Sequence, residues 1–189
     1  MAQSKILVFA GSIRTGALSQ RLAAAATKEL ALLDAEPTLI SLSDYPMPIY
    51  DGDLEARDGA PENARKLRRM MLAHRGIFIA TPEYNASIPP LLKNTLDWVS
   101  RISRDGDQPL RPYSGLTVGL CSTSDGMFAG MRGLYHLRAV LMAVGTQVVT
   151  EQCSVGRASV AFNEDGTLKD ERSAKMLTAV CQSVISRVG

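Results

Sequence analysis

The chain has little of what disulfide-bonded, zinc-binding and nucleic-acid-binding proteins need. It has three cysteines and two histidines in 189 residues, and its formal net charge is only +2. Cys121, Cys153 and Cys181 are odd in number and far apart, which argues against a disulfide framework and against a metal cluster. The near balance of charge gives no argument for binding nucleic acid or an anionic membrane.

Long hydrophobic runs are also missing. The apolar run in MAQSKILVFAG is too short for a signal-peptide core with a cleavage site, and no run approaches the ~20 residues of a membrane span. The composition, 46% hydrophobic and 21% charged, is ordinary for a globular protein. We therefore expect a cytoplasmic protein that makes no membrane contact, with a single domain over residues 1–189.

Five short apolar runs alternate with segments of helical periodicity. The runs are β-branched and nearly continuous in apolar character, as strands buried on both faces should be. The predicted strands are Lys5–Ala10, Pro37–Leu42, Gly76–Thr81, Leu116–Cys121 and Thr146–Glu151. The predicted helices are Leu18–Leu33, Pro61–His74, Pro89–Ile102, Phe128–Val144 and about Asp170–Arg187. This alternation predicts an α/β fold, a parallel sheet with helices on both faces.

A sheet of this kind binds ligands beyond the carboxyl ends of its strands. That rule selects the three loops after the first, third and fourth predicted strands: loop 1 (Gly11–Ser19), loop 2 (Thr81–Pro89) and loop 3 (Ser122–Phe128). All three are dense in Gly, Ser, Thr, Asn and Pro. The long segment after the second strand, SDYPMPIYDGD, could cover a site or pack on a partner.

Loop 1 has the glycine spacing of a triphosphate loop without the residues that grip the phosphates. Gly11 and Gly16 match G-x-x-x-x-G-K-[ST], but Ala17 and Leu18 stand where the Lys and the Ser or Thr should be. Ile13 occupies the second glycine position of G-x-G-x-x-G, which disfavours a dinucleotide pyrophosphate. A triphosphate with Mg²⁺ is therefore not expected here.

The same loop runs into a helix N-terminus, whose unpaired N–H groups and dipole favour a phosphate. The hydroxyls of Ser12 and Ser19 and the guanidinium of Arg14 can add charge-assisted hydrogen bonds. These residues favour one terminal monophosphate. The alternative is a serine- and glycine-rich turn with a surface arginine.

Loops 2 and 3 suggest a planar ligand. Pro82 and the pair Pro89–Pro90 stiffen loop 2, so that its backbone amides could recognise a heterocycle, with Tyr84 packed on the ring and Asn85 offering a donor and an acceptor. The alternative is a turn that leads into a proline-capped helix. For loop 3, a helix start capped by Ser124 or Asp125 is the competing interpretation. Trp98 is expected in the core or at a subunit contact.

Taken together, the stretches GSIRTGALSQ, TPEYNASIPPLLKNTLDW and STSDGMFAGMRGLYHLR resemble the NADPH-dependent FMN reductase family of flavodoxin-like proteins, which includes chromate/quinone and azobenzene reductases. The three motifs occur in the family's order and spacing, and the match spans nearly the whole chain. The resemblance implies a flavodoxin-like three-layer sandwich, a five-stranded parallel sheet of order 2-1-3-4-5, and noncovalently bound FMN with NADPH or NADH as co-substrate.

The resemblance also implies which residues hold the cofactor. Ser12, Arg14 and Ser19 would bind the FMN phosphate, with Gln20 as a weaker candidate. Relatives commonly read G-S-x-R-x-x-S-x-N, whereas this chain has Ala17 at the serine and Ser19 at the asparagine. Around the isoalloxazine, the implied residues are Pro82, Glu83, Tyr84 and Asn85 on one side and Ser122, Ser124 and Gly126 on the other.

On this basis the chemistry belongs to the flavin, and no catalytic side chain and no metal are expected. The implied reaction is a ping-pong transfer of hydride from NAD(P)H to FMN and on to a quinone, azo, nitroaromatic or metal-oxyanion acceptor. A homodimer or homotetramer is implied, with contacts near the helix from Pro89 and near Arg132–Arg138. The alternatives are a flavodoxin-like electron carrier or flavin-binding module without turnover, and a nucleotide-handling α/β protein.

Overall fold

The central feature of the computed structural model, which describes residues 3–105, 108–109 and 111–188, is a five-stranded parallel sheet. In chain order, the strands of both the large sheet and a small one are β1 (Lys5–Ala10), β2 (Glu36–Ile40), β3 (Gly76–Pro82), β4 (Arg104–Asp105), β5 (Gln108–Pro109), β6 (Thr117–Thr123) and β7 (Gln147–Val155). The sheet order is β2-β1-β3-β6-β7, while β4 and β5 form a separate antiparallel pair. Counted within the large sheet alone, this is the predicted order 2-1-3-4-5, so the flavodoxin-like fold is confirmed.

Helices cover both faces of this sheet. They are α1 (Leu18–Leu32), α2 (Gly52–Asp58), α3 (Glu62–Ala73), α4 (Pro90–Ser100), α5 (Met131–Ala143) and α6 (Glu171–Val188). One hydrophobic core lies between the sheet and α1 and α6, and the other between the sheet and α3, α4 and α5. Within the described residues, no helix combines the length and apolar character needed to cross a bilayer.

Alternation along the strands explains why two cores form. On β1, Ile6 and Val8 belong to the α1/α6 core, whereas Leu7 and Phe9 belong to the α3–α5 core. Successive side chains of a strand point to opposite faces, so a continuous apolar run is required when both faces are covered. The apolar runs in the sequence therefore predicted the central strands correctly.

The segment after β2 differs from the sequence-based expectation. It forms a short 3₁₀ helix (Leu42–Asp44) and then α2, and neither is among the helices predicted from the sequence. The N-cap of α2 is Asp51, whose carboxylate accepts a hydrogen bond from the N–H of Asp53 (2.9 Å). This Asp-Gly-Asp start was the available signal for the missed helix.

The same segment packs against α4 instead of standing free. The indole N–H of Trp98 donates to the carbonyl of Pro48 (2.7 Å), and the side-chain amide of Asn94 bonds to Pro48 and Tyr50 (2.8 Å each). Trp98 is fully buried, which confirms its expected place in the core. The segment therefore clamps one side of α4, the helix that follows loop 2.

Candidate functional site

Loops 1, 2 and 3 meet at the carboxyl end of the sheet because the strands that precede them, β1, β3 and β6, are neighbours. They enclose a cavity of about 160 Å³. The predicted site residues that line it are Ser12, Arg14, Ser19, Pro82, Glu83, Tyr84 and Ser124. The other four predicted residues, Gln20, Asn85, Ser122 and Gly126, lie outside its lining, although all four belong to the described chain.

The loop 1 end of the cavity presents hydrogen-bonding groups that no described side chain satisfies. Helix α1 starts after Ala17, has no acidic residue in its first turn, and no described side chain caps it. Ser19 is 1% exposed, and its hydroxyl has no hydrogen-bond partner among the described residues. A buried polar group without a partner costs about 1–3 kcal/mol, which a ligand oxygen would recover. With the exposed Arg14 beside it, this surface fits a phosphate monoester.

Ser12 and Gln20 stabilise the conformation of loop 1 by hydrogen bonds to its backbone. The hydroxyl of Ser12 accepts the N–H of Arg14 (3.4 Å) and lies 3.5 Å from the phenol oxygen of Tyr84. The side-chain amide of Gln20 donates to the carbonyl of Ser12 (3.3 Å), so Gln20 supports the loop backbone. A Cβ at Gly11 would lie 2.6 Å from the hydroxyl oxygen of Thr81, and only glycine allows loop 1 to approach β3 this closely.

Loop 2 is a tight turn centred on two residues with left-handed backbone. Tyr84 and Ser87 exchange two backbone hydrogen bonds of 2.9 Å, and between them Asn85 and Ala86 have φ angles of 49° and 62°. Positive φ at both central positions defines a type I′ turn. The turn holds Tyr84 at the cavity with 43% of its surface exposed, while Asn85 lies at the exposed corner.

Glu83 ties loop 2 to the start of α5. Its side chain is 7% exposed and forms an ion pair with Arg132, and its second oxygen accepts the N–H of Gly133 (3.1 Å). Burial raises the pKa of Glu83, but the bonds from Arg132 and Gly133 outweigh this effect, so that the net pKa is lowered. A Cβ at Gly133 would lie 3.2 Å from the carbonyl of Ser87, so the glycine allows loop 2 and α5 to approach each other closely.

Sequence reasoning missed this connection. For Arg132 the sequence suggests a subunit contact or a solvated face, whereas in the structure its guanidinium pairs with Glu83 and lies over the ring of Phe128 (4.7 Å). A second link joins the same elements, since Nδ1 of His136 lies 3.0 Å from the hydroxyl of Ser87. A glycine at the third position of a helix was the one local signal that another segment packs there.

Loop 3 is held mainly by its own hydroxyls. Ser122 is fully buried; its hydroxyl donates to the carbonyl of Ala129 (2.8 Å) and lies 3.0 Å from the hydroxyl of Ser154. The hydroxyl of Ser124 accepts the N–H of Gly126 (3.0 Å). Ser122 is thus placed to shape loop 3, whereas Thr123 and Ser124 reach the cavity.

Comparison with known proteins identifies the family of the chain. Residues 4–159 match a family model described as NADPH-dependent FMN reductase. An NAD(P)H-dependent FMN reductase of Pseudomonas aeruginosa is 30% identical over 182 residues, which cover 95% of this chain and 92% of that protein. A quinone reductase of Escherichia coli is 33% identical over 147 residues, 78% of this chain and 74% of that protein.

A solved structure is similar over almost the full length of both chains. FerB of Paracoccus denitrificans, a flavoenzyme NAD(P)H:(acceptor) oxidoreductase, has a TM-score of 0.79 and 26% sequence identity. The alignment covers 98% of this chain and 97% of FerB.

Proposed function

Because the chain belongs to the family of NADPH-dependent FMN reductases, we propose that loops 1, 2 and 3 bind FMN and that electrons pass from NAD(P)H to a small-molecule acceptor. The protein is an oxidoreductase that uses FMN and NAD(P)H. The observation that carries the assignment of the site is the buried, unpartnered hydroxyl of Ser19 at the N-terminus of α1.

In this proposal loop 1 binds the phosphate. The hydroxyl of Ser19 and the guanidinium of Arg14 donate hydrogen bonds to phosphate oxygens, and the first-turn amides of α1 add the positive end of the helix dipole. Ser12 orders the loop through its contact with Arg14. A monophosphate is satisfied by these groups without a metal ion.

Loops 2 and 3 would place the ring system. When bound, FMN supplies the two-electron chemistry, taking hydride from NAD(P)H and giving two electrons to the acceptor. Pro82 and Tyr84 lie on one wall and Thr123 and Ser124 on the other. The bonds of Glu83 to α5 hold the two walls at a fixed separation.

We also propose that reductant and acceptor use one space in turn, beside the half-exposed Tyr84, which gives ping-pong kinetics. Quinones are the favoured acceptors, because the relatives include a quinone reductase. Azo compounds, nitroaromatics and metal oxyanions remain further candidates for the same space.

The visible spectrum of the purified protein tests the proposal. We expect flavin absorbance that bleaches when NADPH or NADH is added without oxygen, and steady NAD(P)H oxidation when a simple quinone is present. A protein that takes up no FMN would refute the function. Binding of FMN without turnover would favour an electron carrier instead.

Arg14→Ala tests the phosphate assignment separately. Loss of one charge-assisted hydrogen bond should weaken FMN binding about tenfold and leave turnover at saturating FMN nearly unchanged. Arg157→Ala, at an exposed arginine outside the lining of the cavity, is the matched control. Equal FMN affinity for wild type and Arg14→Ala would show that the phosphate lies elsewhere.

A further inference from the structure

A second cavity, of about 520 Å³, lies on the other side of loop 1, between α1 and the carboxyl end of β2. Its volume falls in the range of about 300–1,000 Å³ that is usual for small-molecule sites. Helix α1 contributes Gln20 and Ala23, and the β2 side contributes Leu39, Leu42 and Asp44.

The two cavities adjoin each other at loop 1. Ser12 lines both of them. In the sheet, Phe9 of β1 pairs with Ile40 of β2, so the end of β2 lies one strand spacing, about 4.8 Å, from β1, two residues before loop 1 begins. A ligand whose phosphate is held by loop 1 therefore needs only a short bridge, such as a second phosphate, to enter the second cavity.

The chemistry of the second cavity suits a nucleoside. Leu39, which is 48% exposed, and the buried Leu42 and Ala23 offer apolar walls for a base. The carboxylate of Asp44 accepts one hydrogen bond within the described chain, from the hydroxyl of Ser43 (3.3 Å), and retains acceptor capacity. A carboxylate beyond the second strand, beside a phosphate loop, is suited to accept hydrogen bonds from ribose hydroxyls.

The charge of the residues that line the second cavity limits which ligands it can bind. Among the described residues that line this cavity, none is Lys or Arg, and Asp44 makes it acidic. A second phosphate deep in the cavity would be repelled, whereas an uncharged sugar and base would not. The ligand part is therefore a nucleoside joined through its 5′ side to the phosphate at loop 1.

We propose that this cavity binds the adenosine half of FAD, so that the chain accepts FAD as well as FMN. The riboflavin phosphate half occupies loops 1 to 3 in both cases, and the second phosphate of FAD bridges past Ser12. Ile13, which argues against a pyrophosphate in the sequence pattern, is 47% exposed and lines neither cavity, so its side chain does not block this path. This inference rests on the proposed function, because it places a flavin phosphate at loop 1.

Flavin-free protein titrated with FMN and with FAD tests the subsite, with binding followed by quenching of flavin fluorescence or by calorimetry. We expect FAD to bind with a Kd within tenfold of that of FMN. Leu39→Trp fills the cavity from a half-exposed position and should weaken FAD at least tenfold while FMN changes less than twofold. Asp44→Asn should weaken FAD alone, about tenfold.

Leu32→Trp is the matched control, because Leu32 is 74% exposed and ends α1 far from its N-terminus. It should alter neither affinity. Normal FMN binding with FAD more than a hundredfold weaker would overturn the subsite and leave the proposed function intact. Failure of both flavins to bind would refute the proposed function and the subsite with it.

Two further outcomes would overturn the subsite alone. In one, Leu39→Trp and Asp44→Asn leave FAD affinity unchanged, which places the adenosine elsewhere. In the other, Leu39→Trp raises the KM for NADH and spares FAD, which assigns the cavity to the adenosine half of the reductant.

Discussion

At the scale of single residues, two buried serines of the site illustrate opposite roles. The hydroxyl of Ser122 is satisfied inside the protein by Ala129 and lies beside Ser154, whereas the hydroxyl of Ser19 has no partner in the described chain. A satisfied hydroxyl stabilises the fold, and an unsatisfied one lowers stability unless a ligand bonds to it. The two serines should therefore respond differently to the same substitution.

Ser19→Ala should weaken FMN binding at least tenfold, because a hydrogen bond to a charged phosphate contributes roughly 1.5–3 kcal/mol. The flavin-free protein should lose no stability, since the removed hydroxyl has no hydrogen-bond partner among the described residues. Ser122→Ala should instead lower the stability of the flavin-free protein, by about 1 kcal/mol, because a satisfied hydroxyl is removed. Calorimetric titration and urea unfolding measure the two effects. A Ser19→Ala protein that is destabilised without flavin would contradict this.

Local patterns in the sequence predicted what lies close together in the chain. Ser12, Arg14 and Ser19 lie within eight residues, so one strand end and one helix start define them together. Glu83 and Arg132 are 49 residues apart, and nothing in either stretch indicates the ion pair. The backbone at Ala86, with φ of 62°, was equally unpredictable because alanine seldom adopts it.

At the scale of secondary structure, loop 2 and α5 behave as one unit. The carboxylate of Glu83 caps α5 from outside the helix, since the N-cap itself is Gly130 with φ of 80° and no side chain. Negative charge at a helix N-terminus is favourable, and Arg132 balances it. The ionised carboxylate of Glu83 therefore contributes to the attachment of loop 2 to α5.

Glu83→Gln should lower stability by about 1 kcal/mol at pH 7, because the ion pair and the charged cap are lost. The pKa of Glu83 is lowered in the folded protein, so its contribution is full above the ordinary glutamate pKa of about 4.3 and is lost as pH falls through the folded value. The difference between the two proteins should therefore shrink below pH ~4. Urea unfolding between pH 7 and pH 3.5 measures it.

Glu171→Gln is the control for that series, because Glu171 pairs with Lys175 on the surface with 82% of its side chain exposed. Exposed pairs contribute about 0–1 kcal/mol, and this difference should stay below 0.5 kcal/mol at every pH. A Glu83→Gln effect that persists unchanged at pH 3.5 would show that packing, not charge, holds loop 2 to α5.

Elements were predicted best where burial alone determines them. The strands β1, β3 and β6 are buried almost throughout, and their apolar runs fixed them to within one or two residues. Edge strands are only partly buried, and β7 was predicted to end at Glu151 although it continues to Val155. Helix α2 has no buried residue, so no apolar stripe could predict it.

At the scale of the whole molecule, the two cores lie on opposite faces of one sheet, and each contains a residue type whose signal reports on its unfolding. The single tryptophan, Trp98, lies in the α3–α5 core. All three cysteines, Cys121, Cys153 and Cys181, lie in the α1/α6 core and are fully buried. Burial raises the pKa of the Cys121 and Cys181 thiols, so they should not react while the protein is folded.

A single domain over the whole chain predicts that both cores unfold together, because β1, β3, β6 and β7 each contribute side chains to both cores. Tryptophan fluorescence and pulsed thiol labelling in urea should give the same midpoint. FMN at a hundred times its Kd should stabilise both by about 2.7 kcal/mol and move the two midpoints equally. If labelling of the cysteines precedes the loss of the Trp98 signal, or FMN moves only one midpoint, the two faces unfold independently and the prediction of one cooperative domain is wrong.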